Sequence, residues 1–358
     1  MILQGRTSSL VACNIYITSA ASATLPSLLS RAQDHCRQLR LVQQQQCDVE
    51  SNESHTAAAA VVHAYADIPY DRSSFHLAGR SDCVSEVAIS LIQNALDDID
   101  WKSNNNNASS ESRHPFVGLV DHVSVMPINA HQECGISTPA AATAARAIGD
   151  QIQQSNNIKV HYYGLACRQN TPLATVRRRT SFFTSGGAHD IDSNNDKEQT
   201  MQYEKGECTI GAPANFVENY NIRLTPNVDF STAKTLTQAL RGRNIATKGI
   251  GVPGVEALTL PWGDVYEVAC NLLEPQIGSV GKIEEELEKW IQKQIDHPSN
   301  NGANKLSNRE TFIDKAYRVG TKEEQCLNVL KQVDEDEYWT RYDQQVLSRF
   351  REYLGQSQ

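Results

Sequence analysis

No apolar run in the sequence lasts much beyond about ten residues, half of the ~20 that a membrane-spanning helix needs, so no transmembrane segment and no membrane partner are expected. There is also no C-x-x-C pair. The nine cysteines, at 13, 36, 47, 83, 134, 167, 208, 270 and 326, are odd in number and scattered. That spacing speaks against a disulfide framework and a structural zinc site, and it suits a reducing, cytoplasmic setting in which most of them serve as small core residues. Positive charge is short as well: 33 Lys and Arg stand against 42 Asp and Glu, a net charge of -9. A nucleic-acid partner is therefore not expected, because counterion release needs a basic surface. A single run, Arg177-Arg178-Arg179, could still build a local cationic pocket. The signatures G-x-x-x-x-G-K-[ST], G-x-S-x-G and H-E-x-x-H are all missing, which removes the usual support for P-loop, hydrolase-elbow and zincin chemistry.

What is present suits a globular α/β chain, since 358 residues with 40% hydrophobic content can bury a sizeable core. Polar tracts at Gln43 to Gln46, Asn104 to Asn107 and Gly186 to Gln199 read as surface loops. Leu10 to Thr18 alternates as a strand, with a signal-peptide h-region as its alternative. A helix follows behind Pro26, then strands Ala60 to Asp67 and Ser74 to Ala78 around Ile68-Pro69-Tyr70-Asp71. Asp82 should cap the next helix, and Phe116 to Ile128 reads as a long buried strand. The order βαββαβ is the split βαβ, or ferredoxin-like, signature. Thr138 should cap a further helix ahead of Pro139, and Val160 to Cys167 adds a strand. The pattern then repeats: strand Phe216 to Leu224, helix Ser231 to Arg243, strands Gly249 to Leu260 and Val265 to Leu273, helix Gly278 to Ile295, a strand near Ala316 to Val319, and helical material from Thr321. Two related ferredoxin-like subdomains with a groove between them are expected. The boundaries are a tail over 1–9, a first subdomain over 10–185, a low-complexity loop over 186–205, a second subdomain over 206–335 and a helical tail over 336–358.

Gly249-Ile250-Gly251-Val252-Pro253-Gly254 matches G-x-G-x-x-G, yet the residues after it alternate like a strand where a dinucleotide site needs a helix. It reads as a bend entering a strand. Among ten histidines, His63, His76 and His161 read as structural, His189 and His297 as solvated, and His122 as a second candidate base in a strand. His114 stands apart. Pro115 restricts it to extended backbone where the Asn/Ser loop meets the strand, a placement suited to proton transfer near neutral pH, with a structural junction histidine as the alternative.

At these residues the chain resembles a known family. Arg113-His114-Pro115-Phe116-Val117-Gly118-Leu119-Val120-Asp121 resembles the H-P-x-x-G-x-x-D stretch of glutamate formimidoyltransferases, the formiminotransferase half of formiminotransferase-cyclodeaminase. Tyr162-Tyr163-Gly164 with Arg168 to Leu173, Gly206 to Ala212, Ala269 to Leu273 and Tyr317 to Gly320 resemble further segments of that family, so the likeness spans about residues 10 to 335. No cyclodeaminase domain is expected. The resemblance implies transfer of a formimino group from N-formimino-L-glutamate to N5 of tetrahydrofolate, the co-substrate, without a metal. It puts His114 in the position of the acid-base catalyst, Asp67 as the carboxylate beside it, and Arg72, Gly118, Asp121, Arg168, Gly206 and Gly211 among the substrate-binding residues. Arg177 to Arg179 are further cationic candidates, with a solvated face as the alternative. The small-molecule partners are a folate and a formimino-amino acid, and a homodimer is left open.

Departures from the family keep a second reading open. Ile17-Thr18-Ser19-Ala20-Ala21 replaces the N-F-S-E-G loop, and Thr200 to Lys205 replaces a folate-contact loop. A non-catalytic or differently specific folate-binding protein on the same scaffold is the alternative function.

Overall fold

The computed structural model describes residues 9–20, 23–47, 57–101, 114–128, 137–156, 158–183, 205–242, 251–296, 308–332 and 336–356. Among the described residues, two sheets carry the fold. The first has six strands: β1 (Leu10–Ile17), β2 (Ala59–Asp67), β3 (Arg72–Arg80), β4 (Val120–Pro127), β5 (Lys159–Gly164) and β6 (Glu207–Ala212), in the order β2-β3-β1-β4-β6-β5. The β2-β3-β1-β4 part is antiparallel throughout, while β6 runs parallel to both neighbours.

One face of this sheet packs helices α1 (Leu25–Cys47), α2 (Ser81–Asp98) and α3 (Ser137–Asn156). The period-2 alternation dictates which residues face them: Val11, Cys13, Ile15 and Ile17 of β1 point into the core, leaving Ala12, Asn14 and Tyr16 for the opposite face. The helices answer at their own period, as in α2, where Val84, Val87, Ala88, Leu91, Ile92 and Ala95 are buried.

The second sheet contains β7 (Glu218–Leu224), β8 (Val255–Trp262), β9 (Val265–Leu272) and β10 (Ile313–Val319), in the order β10-β7-β9-β8, antiparallel throughout. Between the short helix α4 (Leu173–Arg177) and the end of this sheet lie α5 (Phe230–Leu240), α6 (Val280–Ile295) and the four-residue α7 (Arg309–Phe312). Helices α5 and α6 cover one face, burying Leu236, Leu240, Ile283, Leu287 and Trp290. In both sheets the strand order repeats the same scheme of a βαββαβ run.

Helices α8 (Glu323–Leu330) and α9 (Asp336–Tyr353) return to the first sheet and cover edge strand β2. The bulge at Val62 leaves that residue without a cross-strand partner, and its carbonyl accepts from Tyr342 Oη at 2.7 Å.

Several expectations need correction. Gln43 to Gln46 is not a loop but the last turn of α1, in keeping with glutamine's good helix propensity. Asp82 lies inside the first turn of α2 and Arg80 is the N-cap residue; the Asp82 carboxylate instead pairs with Arg80 at 2.7 Å. Thr138 is likewise within α3. The predicted strand from Phe116 begins only at Val120, because the preceding segment takes irregular backbone to bring Gly118 against Gly206. Glu207–Ala212, placed by sequence in the second half, is inserted between β4 and β5 of the first sheet. The G-x-G-x-x-G segment has Gly251 and Gly254 at positive φ before strand β8, matching the bend. The Asn104 to Asn107 and Gly186 to Gln199 tracts, Arg113, His189 and His297 lie outside the described residues.

Candidate functional site

The face of the first sheet opposite its helices is aromatic and polar. Tyr16 of β1, His122 of β4 and Thr209 of β6 are neighbours across the sheet. The His122 ring lies between Tyr16 and Tyr163, stacked on each at 5.5 and 5.4 Å, and its Nδ1 is 3.1 Å from Thr209 Oγ1. Gly211 makes this stack possible: a Cβ there would fall 2.4 Å from the Tyr163 ring.

At the end of this face, Asp121 anchors a cationic cluster. Its side chain has no exposure; Oδ1 accepts from the Val117 amide at 2.8 Å, and Oδ2 is 2.7 Å from Arg72 Nη2 and 3.9 Å from Arg177 Nη2. A carboxylate so deeply buried is tolerable only because cations offset its desolvation. Arg72 opens β3 after a turn in which Asp71 adopts φ 48°, and its guanidinium lies 4.8 Å over Tyr16. Arg177 ends α4 and lies 4.1 Å over Phe182. The next two arginines, Arg178 and Arg179, are exposed, so the cationic run contributes one residue to the cluster.

His114 joins this cluster. Its Nδ1 is 2.7 Å from the Pro115 carbonyl and 3.2 Å from Arg72 Nη1, while Tyr70 and Phe182 present ring edges at 5.5 and 6.1 Å. Burial first, then the Arg72 and Arg177 charges, hold the imidazole well below the usual histidine range. In the Nδ1–H tautomer favoured by the shorter contact, Nε2 is the basic atom.

Tyr70 links this site to the second sheet. Its amide donates to Asp67 Oδ1 at 3.2 Å and its hydroxyl donates to Glu267 Oε1 at 3.0 Å. Glu267, fully buried on β9, also accepts from Asn221 and Tyr317, both at 2.7 Å, and lies 3.4 Å from Arg223. Asp67 accepts from Trp262 Nε1 at 3.0 Å, and burial pushes its carboxyl up. Beyond this bridge is a cleft of about 470 Å³ lined by His63, Tyr65, Arg223, Trp262, Tyr317 and Tyr353 among others.

The structure thus brings together His114, Arg72 and Asp121. Asp67 is near but separated, with Tyr70 between it and His114. Arg168 is exposed on the turn after β5, away from the cluster. Gly118 and Gly206 serve each other: a Cβ on Gly118 would meet the Glu207 carbonyl at 2.3 Å, and one on Gly206 would meet Gly118 Cα at 2.5 Å. Their missing side chains are used for chain packing, as Gly211's is for Tyr163. Sequence reasoning missed Tyr16, Tyr70 and Glu267; tyrosines at strand ends were the available signal, and Glu267 left none.

Residues 36–213 match the family model for the formiminotransferase domain, N-terminal subdomain. The chain belongs to the formiminotransferase family. The matched span holds Asp67, Arg72, His114, Asp121 and Arg177, begins within α1 and ends just after β6, so it takes in strands β2 to β6 of the first sheet and leaves β1 outside. The formimidoyltransferase-cyclodeaminase of Rattus norvegicus is 21% identical over 250 residues, covering 67% of this chain and 43% of that protein. The chain therefore spans less than half the length of this curated relative. Among solved structures, the periplasmic protease PqqL from Escherichia coli aligns over 98% of this chain and 42% of its own at 10% identity with a TM-score of 0.18. A peptidase M16 inactive domain from Pseudomonas fluorescens aligns over 97% and 89% at 10% identity with a TM-score of 0.19. At such scores neither likeness bears on the fold or the site of this formiminotransferase-family chain.

Proposed function

We propose that this protein is a folate-dependent one-carbon transferase that moves a formimino group from N-formimino-L-glutamate to N5 of tetrahydrofolate, acting in the cytoplasm. Its two βαββαβ units are read as ferredoxin-like subdomains, with the substrates between their open faces. The observation that carries this reading is the position of His114: it lies beside Arg72 and the Asp121 anchor, in edge contact with the tyrosine that reaches the second sheet.

The chemistry is amine attack on an amidine-type carbon. N5 loses a proton as it attacks, and the glutamate nitrogen gains one as it leaves, so one base can serve both steps. Nε2 of a neutral His114 takes the first proton and returns it to the leaving nitrogen. Arg72 and Arg177 supply charge for the anionic substrates. Asp121 holds those guanidiniums and acts as a positioning residue. Asp67 reaches the imidazole only through Tyr70. Incubation of purified protein with tetrahydrofolate and N-formimino-L-glutamate, following 5-formimino product by absorbance, tests the reaction; product formation is expected, and its absence with both substrates saturating overturns it.

One observation favours the second reading, a folate binder without transfer. Trp262 occupies Asp67, the carboxylate assigned to support the base. Quenching of tryptophan emission by tetrahydrofolate without turnover would establish that reading instead.

A further inference from the structure

We propose that the cleft beyond the Tyr70 bridge is a second ligand site, separate from His114, for a phosphate monoester carried on a planar aromatic ring, the chemistry of a nucleoside monophosphate. The site stands or falls independently of the transferase reading.

The cleft encloses about 470 Å³, within the ~300–1,000 Å³ usual for small-molecule sites. None of His114, Arg72 and Arg177 lines it. Its walls include Arg223 of β7, Trp262 of β8, Lys315 of β10 and Tyr353 of α9, all outside the span 36–213 matched by the family model.

The charges point to an anion. In a chain of net charge -9, the lining carries three cations, Arg223, Lys315 and Arg318, against one acid, Asp67. Lys315 and Arg223 are register partners on β10 and β7, so two like charges stand directly opposite each other on one face. That arrangement is destabilising by itself and becomes favourable when an anion lies against both. Carboxylates behind the wall hold two of the three cations: Glu267 is 3.4 Å from Arg223, and Glu218 pairs with Arg318. Asp67 is occupied by Trp262 Nε1, the Tyr70 amide and the Tyr65 hydroxyl, at 3.0, 3.2 and 3.3 Å. Burial keeps His63 uncharged near neutral pH. Lys315 is exposed, 5.0 Å over the Tyr317 ring, and no carboxylate among the described residues comes within 4 Å of it. It is the cation left over.

The donors select phosphate over carboxylate. A carboxylate is best met by a free guanidinium fork, and Arg223 has none. Its Nη2 donates to Tyr317 Oη at 2.9 Å, Nε faces Glu267, and its plane lies on Trp262 at 3.3 Å. A phosphate accepts single donors from several directions, which an ammonium and the remaining guanidinium edge supply. The rest of the wall is largely aromatic: Tyr65 and Tyr353 meet edge to face at 4.7 Å, and His63 lies 6.3 Å from Tyr353. Ile68, 50% exposed, adds apolar surface. A planar ring seated here leaves water while its phosphate stays at the cations.

Isothermal titration calorimetry of the full chain with AMP tests the site. Saturable binding of one AMP per chain is expected. Adenosine and inorganic phosphate, each carrying part of the recognised chemistry, should bind at least about tenfold more weakly, and L-glutamate should not displace AMP. Lys315→Glu turns attraction into repulsion at an exposed position. It should weaken AMP binding at least about tenfold, whereas Lys315→Arg should retain most of it. Tyr353→Ala should weaken AMP binding about fivefold or more and leave that of inorganic phosphate unchanged. Circular dichroism of each variant should match the wild type. The site is overturned if the wild type does not bind AMP, if Lys315→Glu or Tyr353→Ala binds it as tightly as the wild type, or if inorganic phosphate or L-glutamate competes as well as AMP itself.

Discussion

At the scale of single residues, the site depends on small side chains as much as on charged ones. Tyr163 lies flat over Gly211 and in turn stacks on His122, so a methyl group at 211 pushes into the ring at 2.4 Å. Gly211→Ala is expected to destabilise the fold by about 1–3 kcal/mol, read from urea unfolding, with disordering of the Tyr163 and His122 ring signals. Stability equal to wild type would mean that Tyr163 does not occupy this position. The arginine run carries a related lesson. Arg177, Arg178 and Arg179 are chemically equivalent in sequence, and only the end of the short helix α4 decides that the first turns inward.

At the scale of elements, helix α9 closes the edge of the first sheet. Phe350 is fully buried with its ring centroid 5.4 Å from Phe75, and Tyr342 caps the unpaired carbonyl of the Val62 bulge. Phe350→Ala should cost about 3–5 kcal/mol in denaturant unfolding, as for other large aromatic truncations in a packed core. A cost near zero would mean that α9 is not docked.

This scale also shows what the sequence could and could not convey. Alternation in Leu10–Ile17 and the helical spacing in Ser81–Asp98 are local properties, and both elements fell where periodicity places them. Glu207–Ala212 was assigned to the wrong half because its partners are parallel strands distant in sequence, and no local pattern says which sheet takes it. His114 was legible through Pro115, which fixes its backbone. The Tyr70 to Glu267 bond was not, since its two ends are 197 positions apart and neither side chain has a distinguishing neighbour.

For the whole molecule, titration links stability to pH. His63 follows the bulge residue Val62 on β2, with its pKa lowered to about 4, chiefly by burial and then by Arg349. Its folded pKa lies below the unfolded value of 6.5, so between these limits the unfolded chain binds a proton that the folded one refuses. The His63 contribution is complete above pH 6.5 and is lost as the pH falls toward 4. Asp343 works in the opposite sense: burial raises it to about 6, so its contribution is present at low pH and is lost as the pH rises through that value. Comparing His63→Gln with wild type isolates the histidine: the wild type should lose about 1.4 kcal/mol per pH unit relative to the variant below 6.5. A difference that stays constant with pH would contradict the burial of His63.

The two sheets meet through Tyr70 to Glu267 and Trp262 to Asp67, with His114 beside the first of these contacts. The central claim is that this imidazole moves the proton in formimino transfer. The direct measurement is kcat for transfer from N-formimino-L-glutamate to tetrahydrofolate by wild type and His114→Ala, with folding of the variant checked by circular dichroism. The expected result is a loss of about 10²–10⁴-fold in kcat with the fold retained; undiminished turnover by His114→Ala would contradict the account.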